Sequence, residues 1–205
     1  MAAQRETRAA KKAATRERLL LAAERIARRE GFDRITLDRV AESAGLTKGA
    51  VYSNFASKEE FLMAVAERFI GDLNLGLPET APDLATVLGY TAAEVGRMAK
   101  SRPKEVVVLF EFMANALRDA RLRRAVAAEV DRQDAVLADG DAASAWLDAH
   151  RDEFPLPAAT FFEVVNALAM GVLLRRMVYG AERLPDDAVA WAFGRLAGDP
   201  VRPTE

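Results

Sequence analysis

The sequence predicts an all-α protein, and three observations carry that expectation. Ala, Leu, Arg and Glu dominate the 205 residues, whereas Gly numbers only 12 and Pro only 8; the former cost least in a helix and the latter two disrupt it. Apolar residues recur at i, i+3, i+4 and i+7 along most of the chain. No apolar–polar alternation survives beyond four residues, so no strand is expected. With 51% hydrophobic residues a sizeable core can be buried, in one large domain or two small ones.

Residues 1–14 contain nothing apolar larger than Ala after Met1, together with Arg5, Arg8, Lys11 and Lys12. They read as a flexible basic tail. A helical period starts at Thr15, with Leu19, Ala22, Ala23, Ile26 and Ala27 on one face, and Gly31 stops it. Phe32–Ile35 is a short connector. Thr36 can cap a second short helix, whose buried stripe is Leu37, Val40, Ala41 and Ala44. After Gly45, Thr47 can cap a third helix over 48–54, with Val51 and Phe55 inward. Ser57-Lys58-Glu59-Glu60 is a capping box before an apolar run, so a longer helix reaches to about Asn74. Gly76, Pro78 and Pro82 mark a loop. Further helices are expected near 83–100, 103–118, 119–138, 158–179 and 186–197, with an extra turn or short helix in 141–150.

Charge divides the chain. Residues 1–60 carry 13 Lys/Arg and 9 Asp/Glu, a net of +4; the remainder carries 16 and 22, a net of −6, and together these give −2. A basic head on an acidic body points the head towards a polyanion. The absence of Cys excludes disulfides and cysteine nucleophiles, and the single His150 argues against a His-based triad or a His-rich metal site. No cofactor is implied. The longest mostly apolar stretch, Phe161–Leu174, is interrupted by Glu163 and Asn166. No membrane span or signal peptide is expected, and cytoplasmic residence follows by default.

The two short helices around Ala44-Gly45-Leu46-Thr47 form a helix-turn-helix candidate. The third helix is too short and too polar to be core alone. Lys48 supplies charge, Gly49 and Ala50 allow close backbone approach, and Tyr52, Ser53 and Asn54 supply hydrogen bonds, as entry into a major groove requires. The helix starts at Thr36, Thr47 and Lys58 could receive phosphates. Lys48, Tyr52 and Lys58 are expected on phosphates, and Ala50, Ser53 and Asn54 nearest base edges.

These residues resemble the DNA-binding domain of TetR-type transcriptional regulators. The resemblance runs through Arg18–Ala23, Arg29–Phe32, Thr36–Ala41 and, most specifically, Thr47-Lys48-Gly49-Ala50-Val51-Tyr52-Ser53-Asn54-Phe55-Ala56-Ser57-Lys58-Glu59-Glu60. The chain departs from the family's frequent choices at Asn54, where His is common, and at Ala56, where Pro is common. The resemblance implies an all-α homodimer with an N-terminal three-helix helix-turn-helix domain and a C-terminal helical bundle for ligand binding and dimerisation. The implied division is a tail over 1–14, a DNA-binding domain over 15–60 and the bundle over 61–205. The partners it implies are double-stranded DNA with a palindromic operator, a small-molecule effector and a second copy of the chain, joined through helices near 158–179 and 186–197.

Within Val106–Leu117 only Glu111 and Asn115 are polar, and they share a face. A helix apolar all round is buried all round, so these two could point into a pocket. The expected liners are Met98, Phe110, Met113, Trp146, Phe162 and Met170, with Glu111, Asn115 and Asn166 as polar contacts for a hydrophobic or amphipathic ligand. The competing readings are a small helical enzyme, for which no catalytic constellation is present, and a protein-binding adaptor, which leaves the basic head unexplained.

Overall fold

The computed structural model describes residues 2–71, 81–137 and 142–198, and these contain helices and no strand. Among the described residues ten α-helices follow one another: α1 (Ala2–Glu30), α2 (Leu37–Ser43), α3 (Lys48–Asn54), α4 (Lys58–Gly71), α5 (Leu84–Ser101), α6 (Pro103–Arg118), α7 (Ala120–Leu137), α8 (Ala142–Ala149), α9 (Ala158–Tyr179) and α10 (Asp186–Gly194). Short 3-10 turns occupy Phe32–Arg34, Arg151–Glu153, Ala181–Arg183 and Arg195–Ala197. The first helix therefore starts at Ala2 and takes in the segment expected to be a flexible tail. Residues 2–14 hold Ala, Lys and Arg with no Gly or Pro, so local propensity sustains the helix without a core to bury.

The chain divides into two compact units. One comprises residues 1–73 with 107–129, and the other 74–106 with 130–205. The first unit extends beyond residue 60 and keeps α4 and most of α6 with the helix-turn-helix. Packing gives the reason: Phe61, Leu62, Val65 and Phe69 of α4, Val108, Phe112 and Ala116 of α6, and Leu122 of α7 are buried in one cluster with Leu19, Ile26, Phe32, Val40, Val51 and Phe55.

In the second unit, α5 packs on α9 and α10. Leu84, Leu88, Val95 and Met98 of α5 are buried, as are Phe161, Val165, Ala169, Val172 and Leu173 of α9, and Val189 and Phe193 of α10. The α9 helix spans 22 residues and is long and apolar enough, by length and composition, to cross a membrane. Its apolar residues form two seams. Phe161, Val165, Ala169, Val172 and the aliphatic stem of Arg176 face the bundle, whereas Val164, Ala167, Gly171, Leu174 and Val178 are exposed.

Candidate nucleic-acid interface

The turn between α2 and α3 is closed by the chain's own carbonyls. Gly45 adopts φ +63°, which a residue without a Cβ reaches at least cost. The Gly45 N–H donates to the Glu42 carbonyl at 2.9 Å and the Leu46 N–H to the Ala41 carbonyl at 2.8 Å, a Schellman ending for α2. Arg18 of α1 donates from Nη2 to the Ala44 carbonyl at 2.7 Å, fixing the turn against the first helix. On α3 only Val51 is buried, and Phe55 follows it into the core with its ring edge-on to Phe61 at 5.0 Å. Those two anchors leave Lys48, Gly49, Tyr52 and Ser53 exposed, with Ala50 and Asn54 half-buried. A Cβ on Gly49 would meet nothing closer than the Thr47 hydroxyl at 3.7 Å, so its bareness serves the outer surface and not internal packing.

Several of the expected contact residues already have partners. Lys48 Nζ lies 2.9 Å from a carboxylate oxygen of Asp38, and that pair raises the lysine's pKa above its ordinary value. Lys48 is thus a paired charge and not a free one. The Ser53 hydroxyl donates to the Ala50 carbonyl at 3.0 Å, and the Asn54 amide donates to the same carbonyl at 2.7 Å. Both side chains fold back on their own helix, as Ser and Asn do when no outside partner competes.

Thr36 caps α2, its hydroxyl accepting from the Arg39 N–H at 3.3 Å, whereas Thr47 makes no side-chain cap bond. Ser57 caps α4 by accepting from the Glu60 N–H at 3.0 Å, while the Glu60 carboxylate reaches back to the Ala56 N–H at 2.6 Å. Lys58, the first residue of α4, is exposed. Its charge helps hold the Asp119 carboxyl below the usual carboxylate range, after the larger effect of the Arg121 and Leu122 N–H groups that Asp119 caps.

The expected effector liners are divided between the two units. Phe110, Glu111, Met113 and Asn115 lie in the first unit, and Met98, Trp146, Phe162, Asn166 and Met170 in the second. Glu111 and Asn115 do share a face, but it meets the connector after α1. Glu111 Oε2 accepts from the Phe32 N–H at 2.5 Å, and the Asn115 amide donates to Asp33 and to the Glu111 carbonyl. Gly31, at φ +97°, makes room: a Cβ there would sit 3.0 Å from Glu111 Oε1. The polar pair thus satisfies a connector's backbone and does not point into a cavity. Nor is the helix buried all round, since Val107, Met113 and Leu117 are exposed.

In the second unit Met98 is buried in the core, Asn166 is exposed, and Phe162 and Met170 are half-buried. Trp146 donates from its indole to the Ala81 carbonyl at 2.6 Å and stacks on His150 at 4.2 Å. His150 places Nδ1 2.8 Å from the Trp146 carbonyl and Nε2 3.1 Å from the Pro82 carbonyl. Two acceptors favour the imidazolium, and the pKa rises above 6.5, the Trp146 carbonyl contributing most. A cavity of about 600 Å³ is lined by Ser144, Leu147, Asp148, Arg151, Phe154, Leu156, Pro157 and Ala158. It includes none of the expected liners. Phe154 nonetheless touches two of them, with ring centroids 6.3 Å from Trp146 and 5.8 Å from Phe162. The Phe154-Pro155-Leu156-Pro157 break carried the signal for this cavity, because apolar residues in a proline-rich turn have no helix face on which to be buried.

Comparison with known proteins agrees with this geometry. The profile of bacterial regulatory proteins of the tetR family matches residues 19–65. The transcriptional regulator SrpR of Pseudomonas putida is 36% identical over 84 residues, which are 41% of this chain and 38% of SrpR. The chain thus spans well under two thirds of that curated relative. Among solved structures, SCO7518 of Streptomyces coelicolor superposes with a TM-score of 0.67 at 20% identity, covering 90% of this chain and 99% of that one. The multidrug binding protein EbrR, complexed with imidazole, superposes with a TM-score of 0.60 at 21% identity, covering 91% and 97%. At such identities the likeness shows a shared fold. The helix-turn-helix with its Thr47–Glu60 run and the profile match together identify residues 19–65 as a DNA-binding domain of the tetR type, within a chain that shares the all-α fold of these regulators.

Proposed function

We propose that the chain is a sequence-specific DNA-binding repressor that acts as a homodimer and leaves its operator when a hydrophobic or amphipathic small molecule binds the second unit. The observation that carries the DNA reading is α3 itself. It is held by two apolar anchors, Val51 and Phe55, and leaves its remaining surface outward behind a rigid turn. Lys48, Tyr52 and Lys58 contact phosphates, Ala50, Ser53 and Asn54 approach base edges, and the bare Gly49 lets the backbone come close. Thr36 and Thr47 set the starts of the helices that carry them. Lys48 exchanges Asp38 for a phosphate, and the Ser53 and Asn54 side chains rotate off the Ala50 carbonyl.

The dimer reading rests on the open seam of α9. Val164, Ala167, Gly171, Leu174 and Val178 are spaced three and four residues apart and exposed, and Trp191 of α10 is 70% exposed. An apolar row at that spacing suits a partner helix, and the small residues at 167 and 171 allow close approach. The ligand reading draws on EbrR, a multidrug binding protein with the same fold, and on the cavity at Leu147 and Phe154 beside Trp146 and Phe162.

Selection from random duplexes tests the whole reading. The expected product is a palindrome bound by two copies, with affinity reduced by compounds that raise the melting temperature of the second unit. Selected duplexes without two-fold symmetry would remove the homodimer, and indifference to every stabilising compound would remove the effector. The residue assignment is tested by Lys58→Ala. It should weaken binding to selected and unselected duplexes alike and lower the salt exponent by about 0.9 per protomer. A change in sequence preference alone would remove Lys58 from the phosphate contacts.

A further inference from the structure

The α1 helix has two parts with different tasks. Its core-forming face starts at Leu19 and continues through Leu20, Ala22, Ala23, Ile26 and Ala27, all buried. Residues 9–14 are all exposed, and between Ala2 and Thr15 no side chain is apolar beyond Ala. At ~1.5 Å per residue that part is about 20 Å of helix with no core to cover. It carries Arg5, Arg8, Lys11 and Lys12 against a single acid, Glu6.

Its root is fixed beside the candidate interface. The Arg16 guanidinium lies 4.7 Å over the ring of Phe55, the residue that ends α3, and Arg18 holds the Ala44 carbonyl in the helix-turn-helix turn. A basic helix that starts next to α3, with residues 9–14 all exposed, is matched by charge and by position to the polyanion proposed for α3. A membrane surface would require large apolar side chains along one face, and none is present.

We infer that residues 2–15 form a rigid helical arm that contacts the phosphates of the duplex flanking the operator, with Lys11 and Lys12 as its innermost contacts. The arm adds affinity without adding sequence preference, because phosphates carry no base information. About 20 Å of helix is enough to run past roughly six phosphates of one strand at 3.4 Å each. This inference rests on the DNA-binding reading above, and its experiment separates the two.

The experiment uses the full chain and a duplex that the unaltered protein has selected from a random pool. The duplex is prepared in two lengths: the protected core alone, and the core with ten added base pairs on each side. The unaltered protein should bind the longer duplex more tightly and with a steeper salt dependence. Lys11→Gln/Lys12→Gln, which keeps helix propensity and touches no core, should lose that gain. Its affinity for the long duplex should fall on the order of tenfold at low salt, with the salt exponent lower by about two per protomer, while the short duplex is bound as before. Equal loss on both lengths, or no loss on either, would overturn the arm and leave the DNA reading in place. If the unaltered chain retained no duplex at all, both would fall. Unchanged far-ultraviolet dichroism of the variant confirms that the charge, and not the helix, has been removed.

Discussion

Phe112→Ala should cost the first unit about 3–5 kcal/mol, the range for truncating a fully enclosed aromatic side chain. Phe112 is 2% exposed and sits edge-on to Phe32 with ring centroids 5.3 Å apart. Phe32 begins the connector between α1 and α2, and its N–H is held by Glu111 one residue before Phe112. Removing the ring therefore takes away packing and leaves the Glu111 bond without a rigid support. The cost should fall on one unit only. Both tryptophans, Trp146 and Trp191, belong to the second unit, so tryptophan fluorescence follows that unit, whereas dichroism follows all the helices. In the variant the dichroism-monitored unfolding should acquire an early phase and DNA binding should be lost with it, while the fluorescence midpoint stays. Loss of both signals together, at an unchanged midpoint, would show that Phe112 contributes nothing particular to the first unit.

That expectation turns on a residue whose place could not be read from the sequence. The helices themselves were legible because each is bounded by local chemistry: Gly31 and Gly45 at positive φ, Thr36 and Ser57 as caps, the prolines at 103, 155, 157 and 185. The outward face of α3 was legible for the same reason, since α3 and its flanks form one continuous stretch. The partner of α6 was not. Glu111 meets Phe32 across 79 residues, and no periodicity within α6 distinguishes a polar pair facing a cavity from one facing another segment's backbone. The ion pair of Lys48 with Asp38, ten positions apart on two helices, has no signature in the sequence for the same reason. Side-chain pairings between elements are set by packing, whereas caps and turns are set by neighbours in the chain.

Asp186→Ala should destabilise the second unit, because it leaves a buried cation without its carboxylate. The side chain of Arg176 is only 1% exposed, donating from Nη1 to Asp186 Oδ1 at 2.8 Å and from Nε to the Leu184 carbonyl at 2.8 Å. Its stem lies among the apolar residues that α9 turns towards α5. Removal of one partner from a buried pair costs about 3–5 kcal/mol, since the remaining charge stays desolvated. A smaller loss, about 1–3 kcal/mol, is expected here because Asp186 is 61% exposed and water can reach the site it leaves. Arg176→Met in the same chain should recover most of the loss, for an apolar side chain of similar volume leaves no charge to strand. The fluorescence midpoint in urea measures both, and additive losses in the double variant would show that Arg176 does not depend on Asp186. The pH dependence follows from the same geometry. Lys100, which donates to Asp186 Oδ2 at 2.7 Å, and then Arg176 hold the Asp186 carboxyl below the ordinary carboxylate value. A depressed folded-state pKa means that the carboxylate's contribution is complete above the unfolded value of about 3.9 and is lost as pH falls through the lower, folded one. The gap between the parent and Asp186→Ala should therefore be constant from pH 7 down to about 5, and should close below about 4 as the parent's own carboxylate is protonated. A gap that persisted unchanged to acid pH would mean that packing around the α10 start, and not the ion pair, had been lost.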